Sequence, residues 1–88
     1  MSIAYLNGEY LPLAEARISP LDRGFLFGDG IYEVIPVFGL KPLRIDEHLQ
    51  RLQNSLSRIS MDNPFDNDAW KQIFDKLLAQ NPGDDRAI

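Results

Sequence analysis

The chain is 88 residues long, enough for one small domain and no more. Its 44% hydrophobic and 25% charged residues exclude a disordered polymer, and a net charge of −4 with scattered basic residues argues against a nucleic-acid partner. With no cysteine and one histidine, neither a disulfide, a thiolate site nor a transition-metal cluster can be assembled within the chain.

Met1 to Tyr5 carries no basic segment followed by an apolar core, and no apolar run approaches the roughly 20 residues that span a bilayer. The expectation is a cytoplasmic protein that does not enter a membrane. Ile3 to Leu6 reads as a short strand. Asn7-Gly8 is a two-residue hairpin signal, and Glu9 to Leu11 is the returning strand, ended by Pro12. Leu13 to Arg17 reads as an irregular or one-turn segment.

Asp22-Arg23-Gly24-Phe25-Leu26-Phe27-Gly28-Asp29-Gly30 packs three glycines, three further charged or capping side chains and two phenylalanines into nine residues. Such glycines permit unusual backbone angles or a close approach, while Asp22, Arg23 and Asp29 offer caps and ion pairs that would hold a loop in one shape. The segment reads as a site wall that delivers Tyr32 to the head of a strand. From Ile31 to Phe38 the residues are apolar and β-prone apart from Glu33 and Pro36, which predicts a strand buried on both sides, with Pro36 at an edge or bulge. Gly39-Leu40-Lys41 turns the chain, and Pro42 to Arg44 returns. Asp46 to Ser60 is predicted helical from the stripe Ile45, Leu49, Leu52, Leu56 and Ile59. A second helix, Asn67 to Gln80, has Asp66 as its cap and Trp70, Ile73, Phe74, Leu77 and Leu78 on its apolar face. Arg86-Ala87-Ile88 reads as the start of a further strand. Together these elements predict an α+β fold: a two-layer small domain of antiparallel strands packed on two helices, incomplete at its C-terminus.

Several residues could carry chemistry. Strand alternation puts Tyr32, Val34 and Pro36 on one face and Ile31, Glu33 and Ile35 on the other. Tyr32 is open to two readings, a core aromatic with its hydroxyl at the rim or a pocket wall. Glu33 on an apolar strand needs a counter-charge, for which Arg17, Arg23 and Arg44 are candidates. On the first long helix, Arg51, Ser55 and His48 fall at roughly 240°, 280° and 300° from Ile45, a polar margin beside the stripe. Arg51 could pair with Glu47 one turn away, or could meet an anion through its planar fork of donors.

Three motifs then carry a resemblance. Tyr5-Leu6-Asn7-Gly8, the run Asp22-Arg23-Gly24-Phe25-Leu26-Phe27-Gly28-Asp29-Gly30-Ile31-Tyr32-Glu33-Val34, and Leu43-Arg44-Ile45-Asp46-Glu47-His48-Leu49-Gln50-Arg51-Leu52 resemble, in order and spacing, the N-terminal part of class IV (fold type IV) pyridoxal-phosphate aminotransferases. The wording Gly-Asp-Gly-Ile-Tyr-Glu-Val is most similar to the D-amino-acid aminotransferases; aminodeoxychorismate lyases and branched-chain aminotransferases are near relatives and remain alternatives. The resemblance implies that Arg51 binds the phosphate of pyridoxal phosphate, that Tyr32 helps hold the substrate carboxylate, that Val34 lines the same pocket and that His48 supports the Arg51 region. It implies an amino acid and a 2-oxo acid as substrates and a homodimer as the parent assembly. Pro36 departs from many relatives, which carry a basic residue there.

The chemistry of such enzymes needs a lysine amine that forms a Schiff base with the cofactor. The lysines in this sequence are Lys41, Lys71 and Lys76, and none sits in a setting similar to the family's. The resemblance therefore implies that residues 1–88 are the small domain of such an enzyme, with the C-terminal cofactor-binding domain absent, no catalytic residue of its own and no activity alone. A rival reading from another class is a binding or self-association module that exposes the apolar face its missing partner would cover.

Overall fold

The computed structural model describes residues 1–88. Asn7 and Gly8 both take left-handed angles (φ 50° and 89°), as a two-residue hairpin turn requires, and they join β1 (Ile3–Leu6) to β2 (Glu9–Pro12). One turn of 3₁₀ helix, Leu13–Glu15, follows.

The glycine-rich segment is not a loop throughout. Arg23–Phe27 forms a short helix, α1, because Asp22 caps it and Gly28 ends it. The Asp22 carboxylate accepts from the Gly24 N–H at 2.8 Å, and Gly28 adopts φ 70°, the left-handed stop that favours glycine. The expected ion pair forms between Arg23 and Asp29 at 2.8 Å, with the Arg23 guanidinium over the Phe27 ring. Gly24 is small for a reason: a β-carbon there would meet the Asp22 carboxylate at 3.0 Å. Leu21, Phe25 and Phe27 are all exposed.

β3 (Pro36–Phe38) is the centre of a three-stranded antiparallel sheet, between β4 (Lys41–Pro42) and β5 (Asp85–Ala87). Three expectations need correction. The ladder starts only near Ile35, which exchanges both hydrogen bonds with Ile88, since residues 31–34 have no strand opposite them. The segment is also buried on one side only: Ile35 and Val37 are in the core, while Tyr32, Val34 and Phe38 face outward with nothing over them. Pro36 lies on the central strand and not on an edge. It is tolerated as the first residue of the strand, where its carbonyl still accepts from the Leu43 N–H at 2.8 Å.

The helices α2 (Ile45–Arg58) and α3 (Asn67–Gln80) match their predicted spans closely, and the Asp66 carboxylate caps α3 through the Ala69 N–H at 2.8 Å. Their apolar stripes meet the sheet: Ile35, Leu49 and Phe74 form the core, with Ile45, Leu52, Trp70, Ile73 and Ile88 packed around it. An aromatic file of Tyr5, Phe65, Trp70 and Phe74 ties the hairpin to α3. The result is the α+β, two-layer arrangement expected, with its strands in two separate sheets. No helix is long and apolar enough to cross a membrane.

Two side chains hold their protons more tightly in this fold. Lys71 of α3 donates to Asp46 of α2 at 2.8 Å, and that hydrogen bond holds its pKa above the ordinary 10.5. Burial, reinforced by Tyr5, holds the Tyr10 phenol above its ordinary 10.0. In both cases the folded chain keeps a proton that the unfolded chain gives up sooner. Their contribution is therefore present below these ordinary values and is lost as pH rises through the raised ones. Urea midpoints should stay level from about pH 7 to about pH 9 and then fall in the alkaline range above the ordinary tyrosine pKa; a midpoint that climbs there contradicts the assignment.

Candidate functional site

The site is built on the first two turns of α2 and the residues just before β3. Arg44, His48 and Arg51 follow one another at spacings of four and three, so they share one face of the helix. Arg44 stands at the N-cap in the left-handed region (φ 53°, ψ 44°) and supplies no side-chain cap. A non-glycine residue there is strained. Arg44, Glu47, His48 and Arg51 line a hollow of about 120 Å³.

Glu33 reaches this face from the inward side of its segment. Its carboxylate is 11% exposed and joins two residues of α2. His48 Nδ1 lies 2.8 Å from Glu33 Oε2, and Arg51 Nε lies 3.3 Å from Oε1. A carboxylate only accepts, so Nδ1 is the protonated ring nitrogen of His48. Arg51 is 71% exposed, its one ion-pair partner is Glu33, and its two terminal amino groups make no hydrogen bond within the chain. The guanidinium is thus held from behind at Nε while its outer fork is free, which is the posture of an anion receptor.

The partners of Glu33 differ from those expected. Arg17 donates to the carbonyls of Ala14 and Ala16, Arg23 is taken by Asp29, and Arg44 forms no ion pair. Arg51 pairs with Glu33 instead of Glu47. The alternation and the helix margin each pointed to the right residues; that they meet across 15 positions of chain left no local signal. Arg44 as a wall of the hollow was also missed, because its position at the N-cap shows only in the backbone.

Tyr32 lies at the mouth of a second hollow, about 210 Å³, which it lines with Glu33 and His48 over an apolar back that includes Leu49 and Leu52. Tyr32 is 85% exposed. Tyr32 and Arg51 therefore do not share a hollow; they line adjacent ones whose common residue is His48. Val34 lines neither and is exposed on the outer face. A further hollow, about 680 Å³, lies elsewhere, between β1 and β5, and holds none of these residues.

Residues 30–87 match the family model described as amino-transferase class IV. The chain is 36% identical over 88 residues to a D-alanine aminotransferase of Staphylococcus aureus (strain N315), covering all of this chain and 31% of that protein. It is 36% identical over 81 residues to a D-alanine aminotransferase of Staphylococcus haemolyticus (92% of this chain, 29% of that protein). A D-alanine aminotransferase of Listeria innocua is 33% identical over 76 residues, with 86% and 26% covered. The chain thus spans under a third of the length of these relatives. Matched along most of its length, and carrying its most polar cluster within the matched stretch, the chain belongs to the class IV aminotransferases.

Proposed function

We propose that residues 1–88 are the N-terminal small domain of a cytoplasmic, pyridoxal-phosphate-dependent aminotransferase. The whole enzyme exchanges an amino group between an amino acid and a 2-oxo acid and works as a homodimer. The names of the relatives favour D-alanine or a similar D-amino acid as donor. The observation that carries this reading is Arg51, braced at Nε by Glu33 and presenting an unpaired fork beside His48.

The residues present fit the phosphate end of the cofactor: the hollow lined by Arg44, Glu47, His48 and Arg51 brings two guanidinium-bearing side chains together within the first two turns of α2. When bound, pyridoxal phosphate supplies the electron sink that makes the substrate α-proton labile. Arg51 holds the phosphate, and His48, fixed by Glu33, keeps Arg51's end of the helix in register. Tyr32 orients the substrate carboxylate by donating its phenolic proton, and Val34 contributes the apolar wall that the outer face gains in the whole enzyme. Lys41, Lys71 and Lys76 line neither hollow, so the amine that carries the cofactor comes from beyond these residues.

Titration of the chain with pyridoxal phosphate, followed by ¹H–¹⁵N spectra, is expected to shift signals of residues 44–51. Arg51→Ala should weaken the apparent affinity by about tenfold or more, the loss of one charge-assisted contact; an unchanged affinity rules out the phosphate role. The purified chain should give no turnover in a coupled assay with D-alanine and 2-oxoglutarate. Turnover by material free of full-length enzyme would contradict the domain assignment.

A further inference from the structure

The chain has five asparagines, and the fold treats one of them differently. Asn63 and Asn81 precede prolines, whose nitrogen carries no proton. Asn54 and Asn67 lie in α2 and α3, where helical angles hold the next backbone nitrogen away from the side-chain carbon. Asn7 alone precedes a glycine, and both residues are exposed at the tip of the β1–β2 hairpin. Gly8 has no β-carbon to shield its nitrogen, and its N–H donates to no atom of the chain. That nitrogen is free to lose its proton beside the Asn7 side chain. Asp29-Gly30 offers a similar pairing, but Arg23 holds the Asp29 carboxylate at 2.8 Å.

We propose that Asn7 is a site of spontaneous deamidation, gated by opening of the β1–β2 hairpin. The Gly8 nitrogen attacks the side-chain carbonyl carbon of Asn7. A C–N bond closes an imide ring, and the side-chain nitrogen leaves as ammonia, carrying the proton that Gly8 gave up. Water then opens either imide carbonyl and leaves aspartate or isoaspartate. One water is consumed, one ammonia is released, and nothing is oxidised or reduced.

Ring closure requires Asn7 to rotate about its Cα–C bond. Left-handed φ at both Asn7 (50°) and Gly8 (89°) marks a type I′ turn, which fixes that bond. The closed hairpin therefore protects the dipeptide that makes its turn. The hairpin has four residues a side and forms a two-stranded sheet of its own, a marginal structure unless it is packed. Asn81 holds it down: the Ile3 N–H donates to Oδ1 at 2.8 Å, and Nδ2 donates to the Ile3 carbonyl at 2.9 Å. Tyr5 adds an edge contact with Phe65. The two products then differ. Aspartate suits the same turn. Isoaspartate routes the main chain through its β-carbon, so the two-residue turn gains a backbone atom and the pairing of Tyr5 with Tyr10 loses its register. Conversion to isoaspartate is a one-way release of the hairpin.

The test keeps the chain in mildly alkaline buffer and follows each asparagine by mass spectrometry of its peptides. Asn7 is expected to convert first, and about tenfold or more slowly in buffer than in urea at the same pH, since only open hairpins react. Asn81→Ala frees Ile3 and leaves the turn sequence alone, and it should speed conversion by about fivefold or more. The Ala4 and Leu11 amides, paired across the hairpin, should exchange faster in the isoaspartyl form than in Asn7→Asp, whose turn stays closed. Conversion of Asn54 or Asn67 ahead of Asn7 overturns the site. Equal rates in buffer and urea overturn the gate, as does a folded Asn81→Ala with an unchanged rate; if that variant does not fold, the comparison of buffer with urea decides alone. Equal exchange in the isoaspartyl form and in Asn7→Asp overturns the release of the hairpin.

Discussion

Leu49→Ala should remove about 2–5 kcal/mol of stability, the cost of deleting a fully buried leucine and leaving a cavity. Leu49 is 2% exposed and packs with Ile35 and Phe74 at the point where α2, α3 and the three-stranded sheet meet. Six residues in the chain are buried, all of them hydrophobic, so each one holds a large share of the core. Small domains keep a total of only about 5–15 kcal/mol, and this loss consumes much of it. Urea denaturation should show a midpoint shifted strongly downward with little change in slope. Leu49→Met, which conserves volume, should cost under about 1.5 kcal/mol. Phe25→Ala is the informative contrast: the ring is large but exposed, so its removal should stay within about 0.5 kcal/mol. If Phe25→Ala proved as damaging as Leu49→Ala, the glycine-rich wall would be part of the core and the placement of α1 would be wrong.

That contrast also marks what local sequence reveals. The hairpin was legible because Asn7-Gly8 names its own turn, and α2 and α3 were legible because their apolar residues repeat over four turns. The α1 helix was not, although both its caps were in view. Five residues are too few for a stripe, and three glycines weigh against any helix until Asp22 closes on the Gly24 N–H. The strand at Ile31–Phe38 was overlong for the opposite reason: β-propensity is high throughout, but a ladder also needs a partner, and only Ile35 onward has one. Strand alternation and the helix margin brought Tyr32 and Arg51 to notice, and the family motifs gave them their expected roles. The carboxylate that braces Arg51 beside His48 depends on packing between two elements, which no periodicity records.

Glu33→Ala should cost about 2–3 kcal/mol, the scale of a charge-assisted hydrogen bond lost from a mostly buried place. The cost falls on the His48 contact. His48 is 15% exposed and its Nδ1–H has no other acceptor, whereas Arg51 reaches solvent and regains hydration when its partner goes. A double-mutant cycle should therefore give a coupling of about 1–2 kcal/mol for Glu33 with His48, and under about 0.5 kcal/mol for Glu33 with Arg51. Phosphate affinity should divide the other way. Arg51→Ala should leave stability nearly unchanged and weaken pyridoxal phosphate strongly, while Glu33→Gln, which keeps an acceptor for His48 but drops the charge behind Arg51, should weaken it less. A large stability coupling between Glu33 and Arg51, or equal ligand loss in Glu33→Gln and Arg51→Ala, would make the pair a structural strut. The two outcomes separate because one carboxylate does two jobs: through the imidazole it anchors the helix, and behind the guanidinium it steadies a fork left to the ligand.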